Sequence, residues 1–315
     1  MSGLRQETLT DDASSVKAIG DALGRVRAAI ILAVFIVSAL AFISTQALSL
    51  ALRMPWTRAY PHQYMRFLCA LLGIKIDVHG EMVRGGPVLI AANHVSYLDI
   101  LVLSALGEIA FIAKTQVGGW PLFGQGARVM RTIFVDRDRR QRAMHDRNQI
   151  QDRLREGDAL VLFPEGTSTD GNSIAPFKSS LLSVAEIDLS DQEAKIRRPY
   201  RVRVQPVSLA YCNLNGVPMG RRNRPLFAWY GDMDLVGHLW RALVAGPIDV
   251  VVHFHPPVTI AQLGDRKALT RHCEAVVRAG VTHAIAGKDG LPTPIFGGAG
   301  VLAPEPREKP AAVHR

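Results

Sequence analysis

The sequence predicts an α/β fold: a mostly parallel sheet flanked by helices, preceded by an apolar helical membrane anchor. Three observations predict it. From residue 87 onward, short apolar runs alternate with longer helical patterns. An uncharged stretch, Ala28 to Leu52, precedes that region and is long enough to enter a bilayer. The sharpest polar motif, Asn93-His94-Val95-Ser96-Tyr97-Leu98-Asp99, falls at a strand-to-helix junction.

Taken in order, residues 1–27 are polar and of mixed charge, and are expected to be poorly ordered or loosely helical. Residues 28–76 read as membrane-anchoring helices. The first is interrupted by Ser38, Ser44, Thr45, Gln46 and Ser49, which leaves a full span, a buried core helix and an in-plane anchor open. The second runs from Tyr64 to Ile76, and Trp56 and Tyr60 between the two suit a helical hairpin with aromatics at the interface. Arginines flank both ends of the first segment (Arg25 and Arg27, Arg53 and Arg58), so charge does not orient it.

Residues 77–296 form the α/β domain. Strands are expected at 87–92, 109–113, 132–136, 159–163, 202–209 and 249–254. Helices are expected at 98–106, 119–130, 139–155, 178–187, 235–244 and 262–279. The Gly, Ala and Pro-rich tail, 297–315, is expected to be disordered.

The chain has 315 residues, 21% charged and 48% hydrophobic, which excludes a disordered protein and provides for an ample core. Its formal charge of +9 implies an anionic partner: a membrane surface, an acidic carrier protein or a phosphorylated substrate. Nucleic acid fits poorly, because the basic runs lack interleaved aromatics. Cys69, Cys212 and Cys273 form no Cys-x-x-Cys pair, so neither a disulfide framework nor a zinc site is expected, and the compartment reads as reducing.

His94 and Asp99 carry chemistry only if the backbone turns between them, since residues five apart on one helix diverge by about 140°. With His94 at a strand end and Asp99 in the first helical turn, the carboxylate reaches back to one ring nitrogen and leaves the other as a base. The bland alternative makes Ser96 an N-cap and Asp99 its partner in a capping box. Both arrangements can coexist.

Further on, Arg131-Thr132-Ile133-Phe134-Val135-Asp136-Arg137 runs a short strand into a basic cluster, which taken alone reads as a solvated helix start and otherwise suits phosphate or carboxylate. The run Leu160-Val161-Leu162-Phe163-Pro164-Glu165-Gly166-Thr167 ends a buried strand either in a plain loop, the reading of this segment alone, or at the carboxyl edge of a sheet, where ligands bind in open α/β folds. His253 and His255 lie on one side of a strand as pocket-lining or structural residues rather than a metal pair.

Together, His94-x4-Asp99, Phe134-x2-Arg137, Phe163-Pro164-Glu165-Gly166-Thr167 and Val204-Gln205-Pro206-Val207 resemble the 1-acylglycerol-3-phosphate acyltransferase family over about residues 75–215. The resemblance implies transfer of a fatty acyl group from acyl carrier protein or coenzyme A thioester to a lysolipid hydroxyl, at the cytoplasmic face of a bacterial inner membrane. It casts His94 as general base and Asp99 as its orienter. Phe134, Arg137, Glu165, Gly166 and Thr167 are expected around the acceptor head group, and the Pro206 block at the donor or shaping the site. No cofactor or metal is expected.

Two positions depart from the pattern: Arg131 stands where a glycine is usual, and Ser168 where an arginine commonly follows Glu-Gly-Thr. The longer string Glu165 to Asn172, with Trp229-Tyr230-Gly231-Asp232-Met233 and His253-Phe254-His255-Pro256-Pro257, is similar to the bacterial lyso-ornithine lipid acyltransferase subgroup. Its acceptor is an aminolipid without a head-group phosphate. That acceptor is favoured, with lysophosphatidic acid as alternative. A thioesterase and a non-catalytic membrane-binding protein are the remoter readings.

Overall fold

A computed structural model describes residues 3–136, 143–186 and 202–287. Arg137, the opening of the helix expected from 139 and the tail from 297 lie outside the described residues. The elements run α1 (Gly3–Ala51), α2 (Ala59–Leu72), β1 (Ile74–His79), β2 (Val88–Ala92), α3 (Leu98–Ser104), β3 (Ile109–Lys114), α4 (Phe123–Val129), β4 (Ile133–Val135), α5 (Ala143–Arg155) and β5 (Ala159–Leu162). They continue with β6 (Arg203–Leu214), β7 (Val217–Pro218), α6 (Gly220–Asn223), α7 (Leu235–Ala245), β8 (Ile248–Phe254), α8 (Ile260–Leu263) and α9 (Arg266–Ile285).

Among the described residues eight strands form one sheet, ordered β1-β8-β6-β2-β5-β3-β4, with β7 on β6. Every pair is parallel except β6 with β8 and with β7. The central strand β2 is buried along its whole length, which is why it reads as an unbroken apolar run. Its side chains alternate between two cores. Val88, Ile90 and Ala92 join the core under α2, α3 and α7, whereas Leu89 and Ala91 join the core under α5 and α9.

Several elements differ from expectation for local reasons. The second apolar helix ends at Leu72, because Gly73 takes a left-handed cap, and Ile74–His79 is an edge strand paired with β8. The alternation Ile74-Lys75-Ile76-Asp77-Val78-His79 is its signature, hidden by the apolar run in front of it. The helix expected at 119–130 is instead a 3-10 turn, Thr115–Gly119, then α4, because Pro121 and a left-handed Leu122 break it. The helix expected at 178–187 is a 3-10 segment, Leu181–Glu186. The last helix is split by Gly264 and restarted by Asp265, whose carboxylate accepts from the Ala268 N–H.

Helix α1 lies against the domain rather than projecting from it. Arg27 donates to the Leu243 carbonyl, and Gln46 donates to the carbonyls of Thr57 and Val129. Those anchor points are 19 residues apart, roughly 28 Å of helix. Most of the polar residues that interrupt its second half meet α2 and the turn, Thr45 the Tyr60 hydroxyl and Ser49 the Thr57 hydroxyl, whereas Ser44 is exposed and donates back to the Leu40 carbonyl. Phe42 stacks on Tyr64 at 4.1 Å, the expected aromatic seam of the hairpin. The outer face of α1 exposes Leu23, Val26, Ile30, Val37 and Leu40, and α7 exposes Val236 and Trp240. Apolar surface on this scale marks a membrane-associated face.

Candidate active site

His94 stands two residues beyond the end of β2, at the carboxyl edge of the sheet. The neighbours of β2 are β5 and β6, so the chain after β5 and the far half of β6 border the same crevice. Asn93 prolongs the β2–β6 ladder with its side chain: its amide donates to the Leu209 carbonyl at 2.9 Å and accepts from the Leu209 N–H at 2.8 Å. That double bond delivers His94 to the edge at a fixed height.

The turn required between His94 and Asp99 is present. Asp99 opens α3 and is fully buried. Its Oδ2 accepts from His94 Nδ1 at 2.8 Å and from the N–H groups of Val95 and Ser96 at 2.7 and 3.0 Å. Its Oδ1 accepts from the Tyr211 hydroxyl at 2.6 Å. Four donors therefore converge on one carboxylate. Only the reciprocal half of the capping box exists, because the buried Ser96 hydroxyl has no partner among the described residues.

The imidazole is also held by its face. Phe163, the last residue before the Pro164-Glu165 turn, stacks on it with centroids 4.1 Å apart and planes 14° from parallel. The Thr169 N–H donates to the His94 carbonyl at 3.0 Å. With Nδ1 donating to Asp99, Nε2 keeps its lone pair, and the ring remains partly open to solvent. This geometry can take a proton from a hydroxyl.

Glu165 is buried between two loops. Its Oε1 accepts from the His94 N–H at 2.7 Å and its Oε2 from the Ala175 N–H at 2.6 Å. Burial pushes its carboxyl up from 4.5 to about 7, against the opposing pull of those two hydrogen bonds. A carboxyl raised in the folded state favours folding most below its unfolded pKa and loses that advantage as it ionises. The stability of the wild type relative to Glu165→Gln is therefore expected to fall between pH 4.5 and about 7, and urea denaturation across that range reads it.

The other expected residues are more scattered. Gly166 follows Glu165 in a left-handed conformation and Thr167 is exposed beside it. Phe134 is half-buried on β4, and no ring contact or hydrogen bond joins it to His94 among the described residues. Arg137 lies outside the described residues. Ser168 donates to the carbonyl of Trp229, whose N–H donates to the Val95 carbonyl at 2.9 Å, so the Trp229 segment is stitched between the two motif loops. An aromatic wall continues from there: Trp229 contacts Tyr97 and Trp120, Tyr97 contacts Phe123, and Phe123 contacts Phe35 of α1.

Sequence reasoning missed Tyr211, Asn93 and Phe163 as site-builders. The full burial of Tyr211 and the Asp99 charge hold its phenol well above the usual range, so it acts as a donor. Tyr211→Phe is expected to cost about 1.5–3 kcal/mol of stability, the net worth of a hydrogen bond to a charged group. It should lower kcat more than it raises KM; thermal denaturation and steady-state kinetics measure the two.

Gln205 of the Pro206 block does not reach His94. It accepts from the Val83 N–H and donates to the carbonyls of Glu81 and His255, tying down the β1–β2 loop. His253 and His255 stack at 4.3 Å, and His255 meets the Ser208 hydroxyl. Among the described residues no cluster of His, Cys, Asp and Glu is placed to share a metal ion. Burial pushes the Cys69 and Cys273 thiols up to about 12, which leaves them without thiolate character.

A sequence model described as "Acyltransferase" matches residues 75–210. The lyso-ornithine lipid O-acyltransferase of Brucella abortus is 42% identical over 267 residues, covering 85% of this chain and 98% of that protein. The lyso-ornithine lipid O-acyltransferase of Rhizobium meliloti is 39% identical, covering 78% and 82%. The 1-acyl-sn-glycerol-3-phosphate acyltransferase of Neisseria gonorrhoeae is 31% identical, covering 65% and 75%. The crystal structure of the 1-acyl-sn-glycerophosphate (LPA) acyltransferase PlsC from Thermotoga maritima superposes with a TM-score of 0.57 at 22% identity, covering 84% and 96%, and shares the fold.

Proposed function

The chain belongs to the acyltransferase family, and from that premise we propose that it acylates the hydroxyl of lyso-ornithine lipid to make ornithine lipid. The observation that carries the chemistry is the His94–Asp99 pair, oriented by four donors on Asp99 and a stacked Phe163. His94 Nε2 takes the proton of the acceptor hydroxyl as its oxygen attacks the donor's thioester carbonyl. The carbonyl–sulfur bond then breaks, and the thiolate leaves with that proton. No acyl-enzyme is needed. The donor is acyl carrier protein or coenzyme A thioester, and no metal or further cofactor enters.

The aminolipid acceptor is supported by the relatives of that name and by Ser168, which holds Trp229 in place and supplies no cation for a phosphate. Lysophosphatidic acid is the second reading, favoured by the relatives that act in glycerophosphate acylation. Purified protein given a labelled acyl donor and each lysolipid separately decides between them. Transfer confined to lysophosphatidic acid would overturn the aminolipid assignment. Release of free fatty acid without any acceptor would point to a thioesterase instead.

The protein sits at the cytoplasmic face of a bacterial inner membrane, with α1 in one leaflet. A helix tied to its domain along roughly 28 Å offers lipid one face only. The aromatic wall from Phe35 to Trp229 leads from that face to the catalytic crevice. Protease access to an N-terminal tag in sealed vesicles tests the topology: a tag on the side opposite the catalytic domain would reject it.

A further inference from the structure

We propose that a cavity at the base of the sheet is a second lipid-head-group site, taking an amphiphile whose head carries a primary ammonium beside an anion. The cavity encloses about 400 Å³, within the range of small-molecule sites. It is bordered by the β1–β2 loop, the α3–β3 loop, the turns before β4 and β5, and the α1–α2 corner. Gly86 borders it at the start of β2, whereas His94 lies beyond the other end. Eight residues of extended chain separate the two, about 25 Å, so this is not the catalytic crevice.

Its floor holds two unpartnered polar groups. Gln46 is 0% and Ser104 2% exposed, both line the cavity, and neither Gln46 Oε1 nor Ser104 Oγ has a hydrogen-bond partner among the described residues. The Gln46 amide cannot be turned around without loss, since its Nε2 already donates to two carbonyls. Its oxygen is therefore the acceptor left without a donor in this wall, open to a ligand that displaces the side chain slightly.

The rim supplies one charge of each sign. Arg84 and Glu108 line the cavity, are exposed, and make no ion pair with a described residue. The other arginines of the lining share two carboxylates: Arg58, Arg131 and Arg153 pair with Glu156 and Asp158. Arg131, at the position where the family pattern has glycine, keeps a glycine-like φ of 61° while its side chain joins this wall.

Outside that cluster, in which three arginines share two carboxylates, the lining offers one cation, one anion, one carbonyl oxygen and one hydroxyl. A purely anionic head would meet Glu108 and the Gln46 oxygen; a purely cationic one would meet Arg84. A zwitterion places its ammonium on Gln46 and Glu108 and its anion on Arg84 and Ser104. The same α1–α2 corner exposes Leu48, Leu52 and Trp56, apolar surface for the chains of an amphiphile. The head could belong to an aminolipid or to phosphatidylethanolamine, which share this chemistry.

Hydrogen exchange on the full chain in detergent, without acyl donor, tests the site with four short-chain probes: ornithine lipid, phosphatidylethanolamine, phosphatidylcholine and phosphatidylglycerol. Either or both of the first two should slow exchange of the amides at 83–86 and 107–110, and the tighter one names the source. Phosphatidylcholine, which has no N–H, and phosphatidylglycerol, which has no cation, should not. Arg84→Gln/Glu108→Gln, which alters only exposed side chains, should weaken that protection at least tenfold in probe concentration and leave the transfer rate unchanged. Protection by phosphatidylglycerol or phosphatidylcholine equal to that by the ammonium lipids would overturn the proposal. So would protection unaltered in the double variant, or none with any probe, the signature of a water-filled cavity. Binding is read without turnover, so an error in the acceptor assignment would leave this result standing.

Discussion

His94→Ala is expected to lower kcat by roughly 10²–10⁴ while KM for both substrates changes little, the range for removing a positioned general base. The variant should fold. His94 is partly exposed, and its side chain spends one hydrogen bond on Asp99 and one stacking contact on Phe163. The main-chain bonds of His94 to Glu165 and Thr169 survive the substitution. Steady-state kinetics alongside a denaturation curve separates the two effects. A kcat within threefold of wild type, on a protein of unaltered stability, would reject His94 as the base.

Asp99→Asn should damage both chemistry and fold, and the structure says why it is the harsher change for stability. Four donors point at a carboxylate with 0% exposure. An amide keeps one acceptor oxygen and turns an NH2 group against at least one of those donors. The buried donor left unsatisfied costs about 1–3 kcal/mol and the bonds that remain lose their charge assistance, so a loss on the order of 4 kcal/mol is expected. Activity should fall at least as far as in His94→Ala, since the imidazole loses the partner that selects its tautomer; the corresponding change in a serine-protease triad costs about 10⁴. Asp99→Asn at wild-type stability would show that the four-donor arrangement is not what holds this corner together. Tyr211→Phe, which removes one donor rather than the acceptor, should be the milder lesion.

The parts of the site that were legible in the sequence are local. His94 and Asp99 are joined across a single strand-to-helix turn, so their spacing and the apolar runs on either side showed how they could meet, while a capping box remained the alternative until the later motifs were added. The helical hairpin at the N-terminus was legible for the same reason, as were the central strands, which must be apolar when both faces are covered. Glu165 was found as a motif residue, but its burial and its hydrogen bond to the His94 backbone were not. Strand β1 was obscured because six alternating residues follow an apolar helix and a lone glycine.

By itself, then, the sequence determined the fold class and most of its strands and helices, and it placed His94 and Asp99 at one turn, all of which follow from periodicity and spacing within a few residues. Tertiary structure alone decided what braces that pair. Tyr211 meets Asp99 across 112 residues, Asn93 meets Leu209 across 116 and Glu165 meets His94 across 71. Those contacts exist because β5 and β6 flank β2 in the sheet, and strand neighbours are chosen by burial over the whole domain rather than by any local pattern.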